Sequence, residues 1–229
     1  AASGKYGISH FILIDSLNFV FELVGATGAY LALDEHPEEV RRAVDMAFDL
    51  NVQVQETFFS RVPLLDGGTV SNMAGWVPGG RIVSESVDPF HMTNLAYFAR
   101  WGREPIERML RHFDGSVFHL HGNGRHLLEP VSALVGAKAI FMGDDRPYPP
   151  AFAIRHQLRQ RAGDMPLVMQ AEYDAFRTAL NEQGLPGGIL YVVSGAPDVA
   201  TANRMMEQVR DYRAPQPSGD TRCTDTSMP

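Results

Sequence analysis

From Arg81 onward, short runs rich in β-branched and apolar residues alternate with longer segments whose apolar residues recur at helical spacing. Residues 81–87, 116–121, 138–143, 167–172 and 189–194 have the length and composition of strands. The intervening segments 92–112, 126–135, 151–161, 173–182 and 199–212 predict helices, the first broken at its Arg103-Glu104-Pro105 step. Strict alternation of this kind favours right-handed βαβ units and a parallel sheet. Upstream the pattern is looser. A helix is predicted from Pro37 to about Phe59, with Asp34, Glu35, Glu38 and Glu39 around its start, where negative charge is favourable. The apolar run 8–14 reads as a sixth strand. Residues 63–80, with their glycines and prolines, read as a long loop of the kind that often carries function. Residues 214–229 are polar and Pro-containing and read as a disordered tail, with Cys223 incidental.

These elements predict an α/β fold of (β/α)8 TIM-barrel type over residues 1–213. Six strands are fewer than the eight that close such a barrel, so the first two βα units are expected to be lacking or to come from a partner. With 229 residues and 45% hydrophobic content, the chain can bury one large core. The formal charge of −7 is spread along the chain, and no basic stripe alternates with aromatics, which argues against nucleic acid as a partner. The most apolar stretch, 11–24, is interrupted by Asp15, Asn18 and Glu22 and is shorter than the roughly 20 residues that cross a bilayer, so it is expected inside a core and not in a membrane. No basic segment with a cleavage site opens the chain, and a single cysteine excludes an internal disulfide; both suit a cytoplasmic protein.

Chemistry concentrates in Ser116-Val117-Phe118-His119-Leu120-His121-Gly122-Asn123-Gly124. The two-residue period of a strand puts Val117, His119 and His121 on one face and Phe118 and Leu120 on the other. The apolar pair can then pack on outer helices while both imidazoles point inward at the strand's carboxyl end, where barrel active sites sit. Two such imidazoles can reach one divalent metal, and Gly122 and Gly124 let backbone approach a ligand. The same pair also fits a hydrogen-bonded polar patch without metal. A third ligand must come from another strand end: Glu172, Asp144, Asp145 and Glu85 are the candidates, each equally at home as a loop carboxylate or helix cap. By role, His119, His121 and Asp144 are the candidate catalytic groups, and His119, His121 and Glu172 the candidate ligand set. Asn123, Arg125, Glu85 and Ser194 are the candidate substrate contacts. His91, His112 and His156 read as surface or packing residues, and Trp76, Tyr97 and Trp101 as aromatic core that can also line a pocket.

The stretch His119-Leu120-His121-Gly122-Asn123-Gly124-Arg125-His126-Leu127-Leu128 resembles the uroporphyrinogen decarboxylase superfamily, which includes cobalamin-dependent methyltransferases. The likeness extends to the glycine and D-x-P-E-like helix start in residues 25–38, to Val87-Asp88-Pro89-Phe90, and to the closing glycine-rich strand and helix in residues 187–212, covering roughly residues 5–213. The resemblance implies a (β/α)8 barrel with a cleft at the strand ends, of which this chain is similar to the later two-thirds. It also implies that the zinc-binding H-x-C pair of the methyltransferases corresponds to His119 and His121, with histidine in place of cysteine, and that a second cysteine corresponds to Ser194 or its neighbour. Zinc, and a corrinoid carried by a partner protein, are the implied cofactors. Three readings follow: metal-assisted, corrinoid-linked methyl transfer on a small-molecule substrate; a metal-free carboxy-lyase in which His119, His121 and Arg125 bind carboxylates; and an incomplete barrel that binds a small molecule or is completed by a second chain.

Overall fold

The computed structural model describes residues 7–10 and 16–215. The expected strand at 8–14 and tail at 214–229 therefore fall largely outside the described residues. What remains of that strand is β1 (Ser9–His10), which pairs in parallel with β2 (Gly68–Ser71); β2 in turn pairs antiparallel with β3 (Gly75–Pro78). The segment expected to be a long loop is thus a hairpin. Its turn is closed by Gly75 at φ 66°, a left-handed conformation that glycine adopts without strain.

Between β1 and β2 lie two long helices, α1 (Ser16–Glu35) and α2 (Pro37–Arg61). The start of α2 agrees with its acidic signal: Pro37 stands in the first turn beside Glu38 and Glu39. Helix α1 had no such punctuation. Its two halves bury different pairs, Leu17 with Val20 and Ala29 with Leu33, and Gly25 between them is non-helical at φ 72° and ψ 159°. This break scrambles the single apolar stripe that periodicity would reveal. Among the described residues α1 is the one helix long and apolar enough to cross a membrane, by length and composition only, with a mean hydropathy of 1.3. The apolar stretch is accordingly longer than residues 11–24 suggested.

All five strands of the repeating region form one parallel sheet in sequence order: β4 (Ile82–Ser86), β5 (Gly115–Leu120), β6 (Ala137–Met142), β7 (Leu167–Glu172) and β8 (Ile189–Ser194). Helical segments alternate with them: α3 (Leu95–Tyr97), a π turn at Phe98–Gly102 and α4 (Arg103–His112) after β4; α5 (Leu128–Ser132) after β5; α6 (Arg155–Ala162) after β6; α7 (Tyr173–Asn181) after β7; and α8 (Val199–Asp211) after β8. The expected division at Arg103-Glu104-Pro105 is not a break: the backbone stays helical there, and the irregularity is the π turn just before it.

The pleat divides the sheet as the period of two requires. Phe118, Leu120, Ile140, Met142, Leu167 and Met169 join the large cluster shared with Leu127, Leu128, Val131 and Leu158 of the helical layer. Phe118 and Leu120 are fully buried there, each worth about 2 kcal/mol in transfer free energy. On the opposite face Ile82, Val117, Ala139 and Val168 pack with Met73, Ala74 and Val77 of the hairpin region. The sheet order is open, and no pairing of β4 with β8 occurs among the described residues. The fold is therefore α/β with a five-stranded parallel sheet, and the closed barrel expected from the alternation is not shown. The described residues divide into two compact units, one within residues 7–171 together with 188–192, the other residues 172–187 together with 193–215. In the second, the Tyr212 hydroxyl donates to Leu185 O and accepts from Leu185 N–H, both at 2.9 Å.

Candidate metal centre

Register brings the chemistry together at the carboxyl ends of β4 and β5. Ser86 lies opposite His119, so the residues following β4 emerge beside the histidine pair. There the chain turns into a 3-10 segment, Asp88–Met92, with Pro89 in its first turn. Ser86 Oγ accepts the Asp88 N–H at 3.1 Å and fixes the turn's start. The Asp88 carboxylate thereby comes to face both imidazoles. Its Oδ1 is 3.8 Å from His119 Nδ1, and its Oδ2 is 3.8 Å from His121 Nε2. The two histidine rings lie 4.1 Å apart between centroids. One ligand atom from each of the three residues falls within 4.8 Å of the others.

Asp145 orients His121. Its Oδ2 stands 2.8 Å from His121 Nδ1 and also accepts the Gly122 N–H at 3.0 Å. The Gly122 N–H, with the His121 contacts, holds the Asp145 carboxyl below its ordinary range, so it is an ionised acceptor. Because a carboxylate can only accept, the proton of a neutral His121 belongs on Nδ1, which leaves the Nε2 lone pair facing Asp88. This is the carboxylate–histidine arrangement that commonly stands behind a metal ligand. Burial, reinforced by neighbouring His121, lowers the pKa of His119 and keeps its imidazole neutral, as ligation needs. Asp88 Oδ1 is buried and has no hydrogen-bond partner. A carboxyl oxygen in that position calls for a cation or a donor.

His91 belongs to the same cluster. Read from sequence as a surface or packing residue, it is 7% exposed, lies edge-on to His121 with centroids 5.5 Å apart, and brings Nδ1 to 3.6 Å from Asp88 Oδ1. Burial above all pushes its pKa down to about 4.

The other expected site residues are placed as follows. Asp144 does not join the histidines. Its Oδ1 accepts the Ala151 N–H at 2.6 Å, at the start of the 3-10 segment Ala151–Ile154, and lies 3.5 Å from Arg125 Nη2. Arg125 is buried, donates from Nη1 to Pro149 O at 2.7 Å, and has its pKa lowered chiefly by desolvation. Asn123 is half-buried, with Nδ2 3.6 Å from Met92 Sδ. Glu85 corrects an expectation: it is in register with Phe118, so it points to the helical face of the sheet, away from the histidines, beside Phe48, Asn51, Ile106 and Met109. Glu172 is exposed and accepts a hydrogen bond from Ser194 Oγ at 3.2 Å; the carboxylate of the three-residue group is Asp88 instead. Of the remaining histidines and aromatics, His112 is on the surface paired with Glu56, and Trp101 is core.

Sequence reasoning did not place Asp88 among the candidate carboxylates, although Val87-Asp88-Pro89-Phe90 was one of the stretches that carried the resemblance. The usable signal was an Asp-Pro directly after the strand neighbouring H-x-H. No family model, curated protein or solved structure matches the chain, so its functional reading rests on this geometry.

Proposed function

We propose that the chain is a metal-dependent enzyme in which Asp88, His119 and His121 hold a divalent cation, zinc foremost, at the carboxyl end of a (β/α)8-type sheet. The observation that carries this reading is the Asp88 carboxylate: its buried Oδ1 has no hydrogen-bond partner and lies near His119, while its Oδ2 faces His121, which Asp145 orients from behind. Donor atoms around a tetrahedral zinc with bonds of about 2.0 Å lie roughly 3.3 Å apart. The three ligand atoms lie within 4.8 Å of one another, and the 3.8 Å contacts run to different carboxylate oxygens, so the side chains have to draw together to reach that.

Two neutral imidazoles and one carboxylate leave a bound zinc with net positive charge and an open coordination position, the pattern of catalytic rather than structural sites. Such a centre supplies Lewis acidity. Within the superfamily that the sequence resembles, the corresponding chemistry is methyl transfer with a corrinoid carried by a partner protein. Lacking a thiolate, this ligand set is harder than an H-x-C site and is suited to an oxygen-bearing small substrate. For the sheet, the reading places the remaining barrel strands against β8, whose Leu190 and Val192 are exposed. A metal-free carboxy-lyase is the second reading, favoured by Arg125, whose Nε is buried without an acceptor.

The test is calorimetric titration of chelator-treated protein with zinc. Wild type is expected to bind one equivalent, and Asp88→Ala, His119→Ala and His121→Ala each to weaken binding at least tenfold. A folded wild-type protein that takes up no zinc, or variants that bind as tightly as wild type, would overturn the metal reading and leave the lyase.

A further inference from the structure

Asp88 and His91 sit three residues apart on one 3-10 turn, which is close to one residue per third of a revolution and brings both side chains to the same side. The His91 side chain is 3% exposed, and its Nε2 is buried with no hydrogen-bond partner. Its ring is wedged against the backbone of Gly124: a Cβ at that position would lie 2.1 Å from His91 Cδ2 and 2.2 Å from Nε2. Only a residue without a side chain lets the imidazole occupy this place beside His121.

The desolvation of a ring in such a slot decides its tautomer. A proton on Nε2 would leave a buried N–H without an acceptor, whereas a proton on Nδ1 points at the Asp88 carboxylate 3.6 Å away. That separation is longer than a hydrogen bond, so in the absence of a cation the contact is an ion–dipole one that can tighten. Asp88 Oδ1 thus has two imidazole neighbours, His119 and His91, while Oδ2 faces His121.

We propose that His91 is a positioning residue, which donates from Nδ1 to Asp88 Oδ1 and so holds the carboxylate with its other lone pairs toward the cation site. This rests on the metal reading above and adds to the three ligands a residue that need not touch the cation. Partners of this kind commonly change metal affinity by 10- to 100-fold. Gly124 is the second part of the device, since it fixes where the His91 ring lies.

The experiment is a zinc titration of the full chain against a chromophoric chelator, with urea denaturation of the metal-free proteins alongside. His91→Leu keeps the bulk but removes the donor, and is expected to weaken zinc binding 10- to 100-fold. His91→Asn keeps an N–H near the Nδ1 position and is expected to restore affinity to within about threefold of wild type. A merely structural role would rank the two by fit and stability, not by donor. Should His91→Leu not fold, Gly124→Ala replaces it, with the ring retained but displaced from Asp88 and the same weakening expected. Wild-type affinity in His91→Leu or in Gly124→Ala, or failure of a folded His91→Asn to recover it, would overturn the proposal. If Asp88→Ala abolishes binding while the His91 variants do not, this inference alone fails; if wild type binds no zinc, both fail.

Discussion

At the level of single residues, the candidate centre depends on which groups stand behind the ligands as much as on the ligands themselves. Asp145 accepts hydrogen bonds from His121 Nδ1–H and the Gly122 N–H on the same oxygen, so Asp145→Asn removes a charge without removing bulk. We expect about tenfold weaker zinc binding with the urea midpoint little changed, because the loss falls on ligand orientation and basicity and not on the core; equal affinity in the two proteins would show that His121 needs no such partner. Much of this was legible. The period of two correctly sent His119 inward with Val117 and sent Phe118 and Leu120 outward, and Asp145 was among the carboxylates singled out. Glu85 went the wrong way because parity within a strand is visible in sequence whereas register between strands is not. Ser86, and not Glu85, is the β4 residue level with His119. Asp88 and His91 escaped because their positions are set by a 3-10 turn outside either strand.

Among elements, the parallel strands were readable because burial on both faces makes them short apolar runs between helices. The hairpin of β2 and β3 was not, since four-residue strands bearing Gly68, Ser71, Gly75 and Pro78 carry little β signal. Besides apolar packing, one polar side chain ties this hairpin to the main sheet. Thr69 is 3% exposed; its Oγ1 accepts the Ile82 N–H at 2.9 Å and donates to Gly80 O at 2.7 Å. Thr69→Val is nearly isosteric but leaves a buried N–H without an acceptor at the first residue of β4. A loss of about 1–3 kcal/mol is expected in urea denaturation, with zinc affinity unchanged because the other end of β4 carries the site. A variant as stable as wild type would show that water replaces the hydroxyl.

For the molecule as a whole, alternation of strands and helices foretold the α/β class and the order of the sheet. Closure is another matter: it depends on strand number and stagger, which no local pattern encodes. The same burial that defines the core also makes stability depend on pH. His10 is 1% exposed, hydrogen-bonded to Gln55, and has its pKa lowered chiefly by desolvation. His91, lowered to about 4, behaves likewise. In each case the folded protein prefers the neutral ring, while the unfolded chain takes up its proton near the ordinary histidine value of about 6.5. Below the ordinary value the unfolded state binds more protons than the folded one, so stability present at pH 7 is lost as pH falls, for His91 down to about 4. The urea midpoint of metal-free protein is therefore expected to drop between pH 7 and pH 5, and His91→Leu to make that drop shallower while His10 still contributes the remainder. An equally steep drop in His91→Leu would mean that the His91 ring is already protonated in the folded state, and with it that Asp88 holds an imidazolium in place of a metal.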